Sequence, residues 1–339
     1  MGKKKIMVIK AGGTVCEKPN KKGFLEIPKE GQDYFHLIQN INDLANITEI
    51  EISPIDSTNM TLHHRKKFAD MIKNNYQKQD GFVIIQGTDT LAESAISMNY
   101  MIQNLGKPII FTGAQKPIYV ENTDAIENIK NSILVATENI GESAIVFDNK
   151  IIRGSRAVKR HSEDFFGFYS PKIEEIGKIE KEKIKFNNQI KRKFYLKPEI
   201  FTNFKKNVLY YSQISGADTN LLEKIVKDCD CHGLIIGGYG TGNINSKYLK
   251  AIELATESGK PVAITTACQY GKTDKKYAVG SEAIERGAFL AYDLTKEAAS
   301  QKMMYALGIV KSKKKSKKDT IKEVKEIIQT PIGEDLTKE

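Results

Sequence analysis

The sequence predicts an α/β protein of two α/β domains. The larger, N-terminal one is built on a mostly parallel sheet covered by helices, and the smaller, C-terminal one holds a parallel sheet of its own. Three observations predict this. Short apolar runs alternate with amphipathic helical stretches, two runs end in glycine followed by threonine, and the rhythm breaks once in the middle before restarting. Unbroken apolar runs of roughly four to eight residues mark strands buried on both faces, the situation of a parallel sheet between two helix layers.

Residues 5–9 form the first such run and lead into Gly12-Gly13-Thr14. Residues 81–85 form the second and lead into Gly87-Thr88-Asp89-Thr90. Leu91, Ala95, Met98, Ile102 and Leu105 then recur at helical spacing, predicting a helix over 91–105 that stops at Gly106. A strand over 107–111 ends at Thr112-Gly113, a helix covers 124–136, and a strand covers 143–147. From 173 to 193 Glu, Lys and Asn dominate, with scattered Ile. After Lys197-Pro198 the alternation resumes with strands at 208–211, 233–236 and 262–265, and helices at 219–227, 246–258 and 296–307. We therefore place a linker at 191–206, between an N-terminal domain over 1–190 and a C-terminal domain over 207–339.

With 40% hydrophobic and 28% charged residues, the composition is that of an ordinary soluble protein. The formal charge of +10 invites a nucleic-acid reading. Much of that excess lies in one run, Lys311-Ser312-Lys313-Lys314-Lys315-Ser316-Lys317-Lys318, which reads as a solvated loop. No RNA-recognition signature, zinc finger or aromatic-interleaved basic stripe accompanies it, so no nucleic-acid partner is expected. Cys16, Cys229, Cys231 and Cys268 are too few and too scattered for a disulfide scaffold, and the C-x-C has no second pair to make a zinc site. The apolar run after the basic start is shorter than the roughly 7–15 residues of a secretory signal. Nothing approaches the roughly 18 apolar residues of a membrane span. The expectation is a cytoplasmic protein with no membrane partner.

Ligands in an open parallel sheet bind outside the carboxyl ends of the strands. Two predicted strands end there in Gly-Thr, a pairing that lets the backbone turn closely and present a hydroxyl and an N–H to the crevice. Taken singly, each is equally a turn that caps the following helix. Other motifs fail on spacing. Gly271-Lys272-Thr273 lacks the glycine five residues earlier that a phosphate loop needs, Thr266 standing there. In Gly238-Tyr239-Gly240-Thr241-Gly242, Asn243 stands where a dinucleotide fingerprint places its third glycine. There is no G-x-S-x-G elbow, and the five histidines contain no H-E-x-x-H. A hydrolase here would activate its nucleophile without a histidine base or a metal, and no cofactor is expected.

Read in order, the motifs are specific. Gly12-Gly13-Thr14, Asp56-Ser57-Thr58-Asn59-Met60 and Gly87-Thr88-Asp89-Thr90-Leu91-Ala92-Glu93 resemble the bacterial L-asparaginase family, particularly its cytoplasmic type I branch. The resemblance continues through Thr112-Gly113-Ala114-Gln115, Arg153-Gly154-Ser155-Arg156-Ala157-Val158-Lys159, Tyr239-Gly240-Thr241-Gly242-Asn243 and Asp293-Leu294-Thr295-Lys296-Glu297-Ala298. It implies that the chain hydrolyses L-asparagine to L-aspartate and ammonia, with weaker activity on glutamine. Thr14 would be the nucleophile and form an acyl-enzyme. Thr88, Asp89 and Lys159 match the family's second catalytic cluster, where a lysine beside an aspartate and a hydroxyl relays a proton. The Thr88 N–H matches a donor to the developing oxyanion. Ser57, Thr58, Asp89, Thr88 and Ala114 match positions around the substrate, Ser57 and Asp89 gripping its α-carboxylate and α-amino group. The same resemblance implies a homodimer or homotetramer in which the turn at Gly240-Thr241-Gly242-Asn243 is contributed to a neighbour. Outside that ordered set, Lys159 reads as a surface lysine, and Ser57 and Asp89 as helix caps.

The sequence departs from the family at three places. Ala11 stands before the paired glycines where Thr is usual, and Thr58 stands where extracellular members carry Gln. The polar segment 17–30 should be a mobile lid, but its Gly-Tyr pair reads Gly23-Phe24, so Phe24 lacks the hydroxyl that touches the nucleophile. Tyr34 is the nearest tyrosine able to replace it. Two rival readings are the asparaginase-like subunit of a transamidosome, which carries an extra N-terminal domain, and a silent amino-acid sensor.

Overall fold

The structure, a computed structural model, describes residues 2–28, 33–52, 54–187, 197–310 and 315–337. They divide into two compact units, Met1–Ile200 and Phe201–Glu339. Of the expected linker, 191–196 lies outside the described residues.

The first unit runs β1 (Lys5–Lys10), β2 (Asn46–Glu51), α1 (Leu62–Asn75), β3 (Gly81–Ile85), α2 (Leu91–Met101), β4 (Ile109–Thr112), α3 (Ala125–Ala136), β5 (Ser143–Phe147), β6 (Lys150–Arg153), β7 (Gly177–Glu180) and β8 (Lys183–Phe186). Among the described residues these strands make one sheet in the order β8-β7-β6-β5-β4-β3-β1-β2. The strands from β5 to β2 are parallel, and β5 through β8 continue as an antiparallel meander. Each residue of β3, β4 and β5 is buried, because helices cover both faces. α1 and α2 pack on one side and α3 on the other. Ile129 and Ile133 of α3 join Ile6, Val8, Val83, Ile85 and Ile110 in the core.

Two expectations differ in detail, and the polar stretch between them takes a definite form. The helix predicted over 91–105 ends at Met101; Ile102–Gln103 leaves it as a short strand paired antiparallel with Glu199–Ile200, and Asn104 takes the left-handed conformation that ends the run (φ 56°). The polar stretch after 173 is the β7–β8 hairpin, with Ile179 facing Ile184 across it. The end of the lysine run is not a loop: Lys317 and Lys318 open a helix, as described below, while 311–314 lie outside the described residues.

The second unit runs β9 (Val208–Ser212), α4 (Asn220–Asp228), β10 (Gly233–Gly238), α5 (Leu249–Glu257), β11 (Val262–Thr266), α6 (Ala278–Glu285), β12 (Phe289–Leu290), α7 (Lys296–Ile309) and α8 (Lys317–Gln329). Its strands are parallel, in the order β9-β10-β11-β12. α7 packs on the sheet and α8 on α7. Ser316 caps α8, its hydroxyl accepting the Asp319 N–H at 3.1 Å. No helix among the described residues is long and apolar enough to cross a membrane.

Candidate active site

In the first sheet β1 and β3 are neighbours, yet the chain leaves β1 toward β2 on one side and β3 toward β4 on the other. This is the point where strand order reverses, and the loops at the carboxyl ends of the two strands must part around a crevice. Those loops are Gly12-Gly13-Thr14 and Gly87-Thr88-Asp89. They come very close at their base: a Cβ on Gly13 would stand 2.2 Å from the Gly87 nitrogen, and Gly13 has φ 86°. Only glycine meets both demands. A Cβ on Gly87 would likewise stand 2.6 Å from the Ser57 hydroxyl.

Thr14 opens a 3₁₀ turn, Thr14–Cys16, held from both sides. Val15 and Cys16 are buried, the Ile118 N–H donates to the Val15 carbonyl at 3.0 Å, and the Glu17 N–H closes the turn on the Thr14 carbonyl at 3.2 Å. Thr14 itself is only partly buried. Across the crevice, Thr88 is buried and Asp89 is exposed. Lys159 arrives on a short strand, Val158–Lys159, paired with Phe168–Tyr169. Its amine donates to the Thr88 hydroxyl at 2.9 Å and to the Asp89 carboxylate at 2.6 Å. With Asp89 more than half exposed (55%), this ion pair adds little to stability, about 0–1 kcal/mol. It does fix an amine, a hydroxyl and a carboxylate at one spot.

Ser57 begins the 3₁₀ turn Ser57–Asn59 and is buried. Its hydroxyl accepts the Asp89 N–H at 3.2 Å, and its carbonyl accepts the Thr90 hydroxyl at 2.8 Å, so the 57–59 turn and the 87–90 loop are tied together. Asp56 caps the turn, accepting the Thr58 N–H at 2.9 Å and the Thr58 hydroxyl, while Thr58 is otherwise exposed. Ala114 is buried at the end of β4, next to Gln115, whose amide donates to the carbonyls of His161 (3.3 Å) and Asp164 (3.0 Å) and so anchors the loop that follows Lys159.

The structure thus brings Ser57, Thr88, Asp89 and Lys159 into one hydrogen-bonded cluster, with Thr14 on the adjoining loop. Phe24 stands apart. It lies at the tip of a small hairpin, Lys18–Pro19 paired with Leu25–Glu26, and its ring is 69% exposed. Tyr34 is fully buried in the core, and its hydroxyl has no partner among the described residues.

One residue at the site carries no sequence motif. Glu17 follows Thr14 by one 3₁₀ turn, which brings their side chains together, and burial pushes its carboxyl pKa above the usual carboxylate range. The negative charges of Asp56 and Asp89 raise it further, while the nearby Thr14 side chain pulls in the opposite direction. The available signal was positional: side chains three apart on a 3₁₀ turn eclipse one another.

Fold and site together define a doubly covered parallel-sheet protein with a threonine-, lysine- and carboxylate-lined crevice at its strand-order switch. Two family models match the chain, "Asparaginase, N-terminal" over residues 5–192 and "Glutaminase/Asparaginase C-terminal domain" over 207–319. The chain belongs to the asparaginase family. It is 30% identical over 326 residues to L-asparaginase 1 of Escherichia coli K12, covering 91% of this chain and 93% of that protein. The solved structure of the thermostable L-asparaginase from Thermococcus kodakarensis superimposes with a TM-score of 0.87 at 26% identity, covering 99% and 100% of the two chains. A glutamyl-tRNA(Gln) amidotransferase component of Methanosphaera stadtmanae is 28% identical over 343 residues, covering 97% of this chain and 76% of that protein.

Proposed function

We propose that this protein hydrolyses L-asparagine to L-aspartate and ammonia in the cytoplasm, with weaker activity on glutamine, as a homodimer or homotetramer. The observation that carries the reading is the Lys159 amine holding the Thr88 hydroxyl and the Asp89 carboxylate at the mouth of the switch-point crevice. Family membership supports it.

In this reading the Thr14 oxygen attacks the side-chain amide carbon, ammonia leaves, and water releases the acyl group. Ser57 and Asp89 grip the α-carboxylate and α-amino group, with Thr58 and Ala114 beside them. The Thr88 N–H faces the developing oxyanion; one such donor is typically worth about 10²–10³ in rate. Lys159 donates to the Thr88 hydroxyl and orients it toward the reacting group, and the neighbouring Asp89 carboxylate balances its charge. Phe24, on its exposed hairpin, is a hydroxyl-free lid that closes on the crevice when substrate binds.

Ammonia release from free asparagine, free glutamine and no substrate tests this directly. The expected result is turnover on asparagine without added nucleotide, greater than on glutamine, and a loss of several orders of magnitude in kcat for Lys159→Met with the fold intact. Ammonia released only from glutamine in the presence of a charged tRNA would instead establish an amidotransferase component. No release from either amide would leave a binding protein.

A further inference from the structure

A threonine hydroxyl attacks an amide only if a base takes its proton as the new bond forms. Lys159 is already engaged with Thr88 and Asp89, the Tyr34 hydroxyl lies in the core, and Phe24 has no hydroxyl to offer. The group that does meet Thr14 is Glu17. Both side chains leave the same turn three residues apart, where 3₁₀ geometry places one above the other. The turn is fixed by the Glu17 N–H to Thr14 carbonyl bond (3.2 Å), by the Cys16 thiol on the Gly13 carbonyl (3.3 Å) and by the buried Val15. A carboxylate held on a rigid turn against the reacting oxygen is in the position a general base must occupy.

We propose that Glu17 is the catalytic base that takes the Thr14 hydroxyl proton, an inference that rests on the reading of Thr14 as nucleophile. As the Thr14 oxygen bonds to the amide carbon, its proton passes to the Glu17 carboxylate and the carbonyl π electrons move onto oxygen. On collapse the carbon–nitrogen bond breaks, Glu17 returns the proton to the departing nitrogen, and ammonia leaves. In the second half, water adds to the acyl carbon, Glu17 takes its proton and hands it to the Thr14 oxygen as the ester bond breaks. Amide and water give acid and ammonia, and both residues end as they began.

The surroundings suit this role. Around Glu17 stand Asp56 from the turn before Ser57, Asp89 from the loop after β3, and Cys16 on its own turn, with Thr14 beside it. Burial and the two aspartates make the carboxylate more basic than a free one, and so a better acceptor for an alcohol proton.

The test compares Glu17→Gln, Glu17→Asp and Thr14→Ala in the full chain, reading kcat and KM for asparagine across pH together with thermal unfolding. Glu17→Gln is expected to lower kcat by about 10²–10⁴-fold, to change KM by less than about threefold, and to abolish the acid limb of the kcat profile. Glu17→Asp, one methylene shorter, should retain that limb and fall in between. If Glu17→Gln keeps near-normal kcat, or changes KM alone, while Thr14→Ala is inactive, the Glu17 assignment is overturned and the nucleophile reading stands. If Thr14→Ala itself keeps normal turnover, the nucleophile reading fails and the base assignment fails with it.

Discussion

At Tyr34 the chain buries a phenol hydroxyl for which no described residue provides a partner. The ring is well used, lying under the Lys10 amine, itself paired with Glu49 at 2.9 Å. Burial pushes the hydroxyl well above its usual pKa, so it stays neutral and contributes only an unmet hydrogen-bonding demand. Removing that demand should help: Tyr34→Phe is expected to raise the free energy of unfolding by about 1 kcal/mol and to leave turnover unchanged, read from urea unfolding and an ammonia assay. A severe loss of activity would show that Tyr34 leaves the core to reach Thr14. Single residues were also where the sequence was least legible. Thr14, Ser57, Thr88, Asp89 and Lys159 were found through an ordered set of motifs. Glu17 sits in a segment whose composition says only polar loop, and its relation to Thr14 exists only once the 14–16 turn is known to be 3₁₀. Gln115 was quoted within a motif, but its bonds to two carbonyls behind Lys159 depend on a loop that folds back on it.

Among the elements, the buried strands were the most legible, because a parallel strand between helix layers is apolar at nearly every position. β2 was missed for the complementary reason. It is the sheet edge, its sequence Asn-Ile-Thr-Glu-Ile-Glu is mostly exposed, and nothing marks it off from a loop. α1 escaped notice because Leu-His-His-Arg-Lys-Lys opens it, although Phe68, Ala69 and Ile72 bury one face. The β7–β8 hairpin alternates weakly and turns through Lys181 and Glu182, both left-handed without a glycine to announce it. The glycine loops, in contrast, carry their geometry openly. Gly13→Ala should be severely damaging, combining about 1–3 kcal/mol for the left-handed dihedral with about 1–3 kcal/mol for overpacking against the Gly87 backbone. Circular dichroism melts would check this, a substitution costing under about 1 kcal/mol being the contrary result.

Across the molecule, each unit carries its own core, and the second holds an internal ion pair that no motif includes. The side chains of Lys302 and Asp335 are both fully buried, 2.7 Å apart, and the lysine also donates to the Thr330 carbonyl at 2.7 Å. The pair fastens the segment after α8 to the middle of α7. Lys302→Met would leave a buried carboxylate uncompensated, and a loss of about 3–5 kcal/mol is expected. Lys302→Met with Asp335→Leu should recover most of it, since a well-packed apolar pair replaces a buried ion pair at little cost. Thermal unfolding of the two variants decides the point; equal destabilisation in both would mean that the charges themselves are needed. No sequence pattern pointed to this pair, because Lys302 lies on a helix whose apolar and polar positions are not segregated and Asp335 in a short polar turn.

The tie from Lys159 to Thr88 spans 71 residues, and the one to Asp89 spans 70. Between them in sequence lie two further parallel strands, two helices and the start of the antiparallel meander, all of which must be in place before the amine reaches the crevice. Such long-range closures form slowly and late. The charge that the amine brings to the crevice therefore depends on every strand and helix between them being folded, as the glycine loops depend on those between β1 and β3.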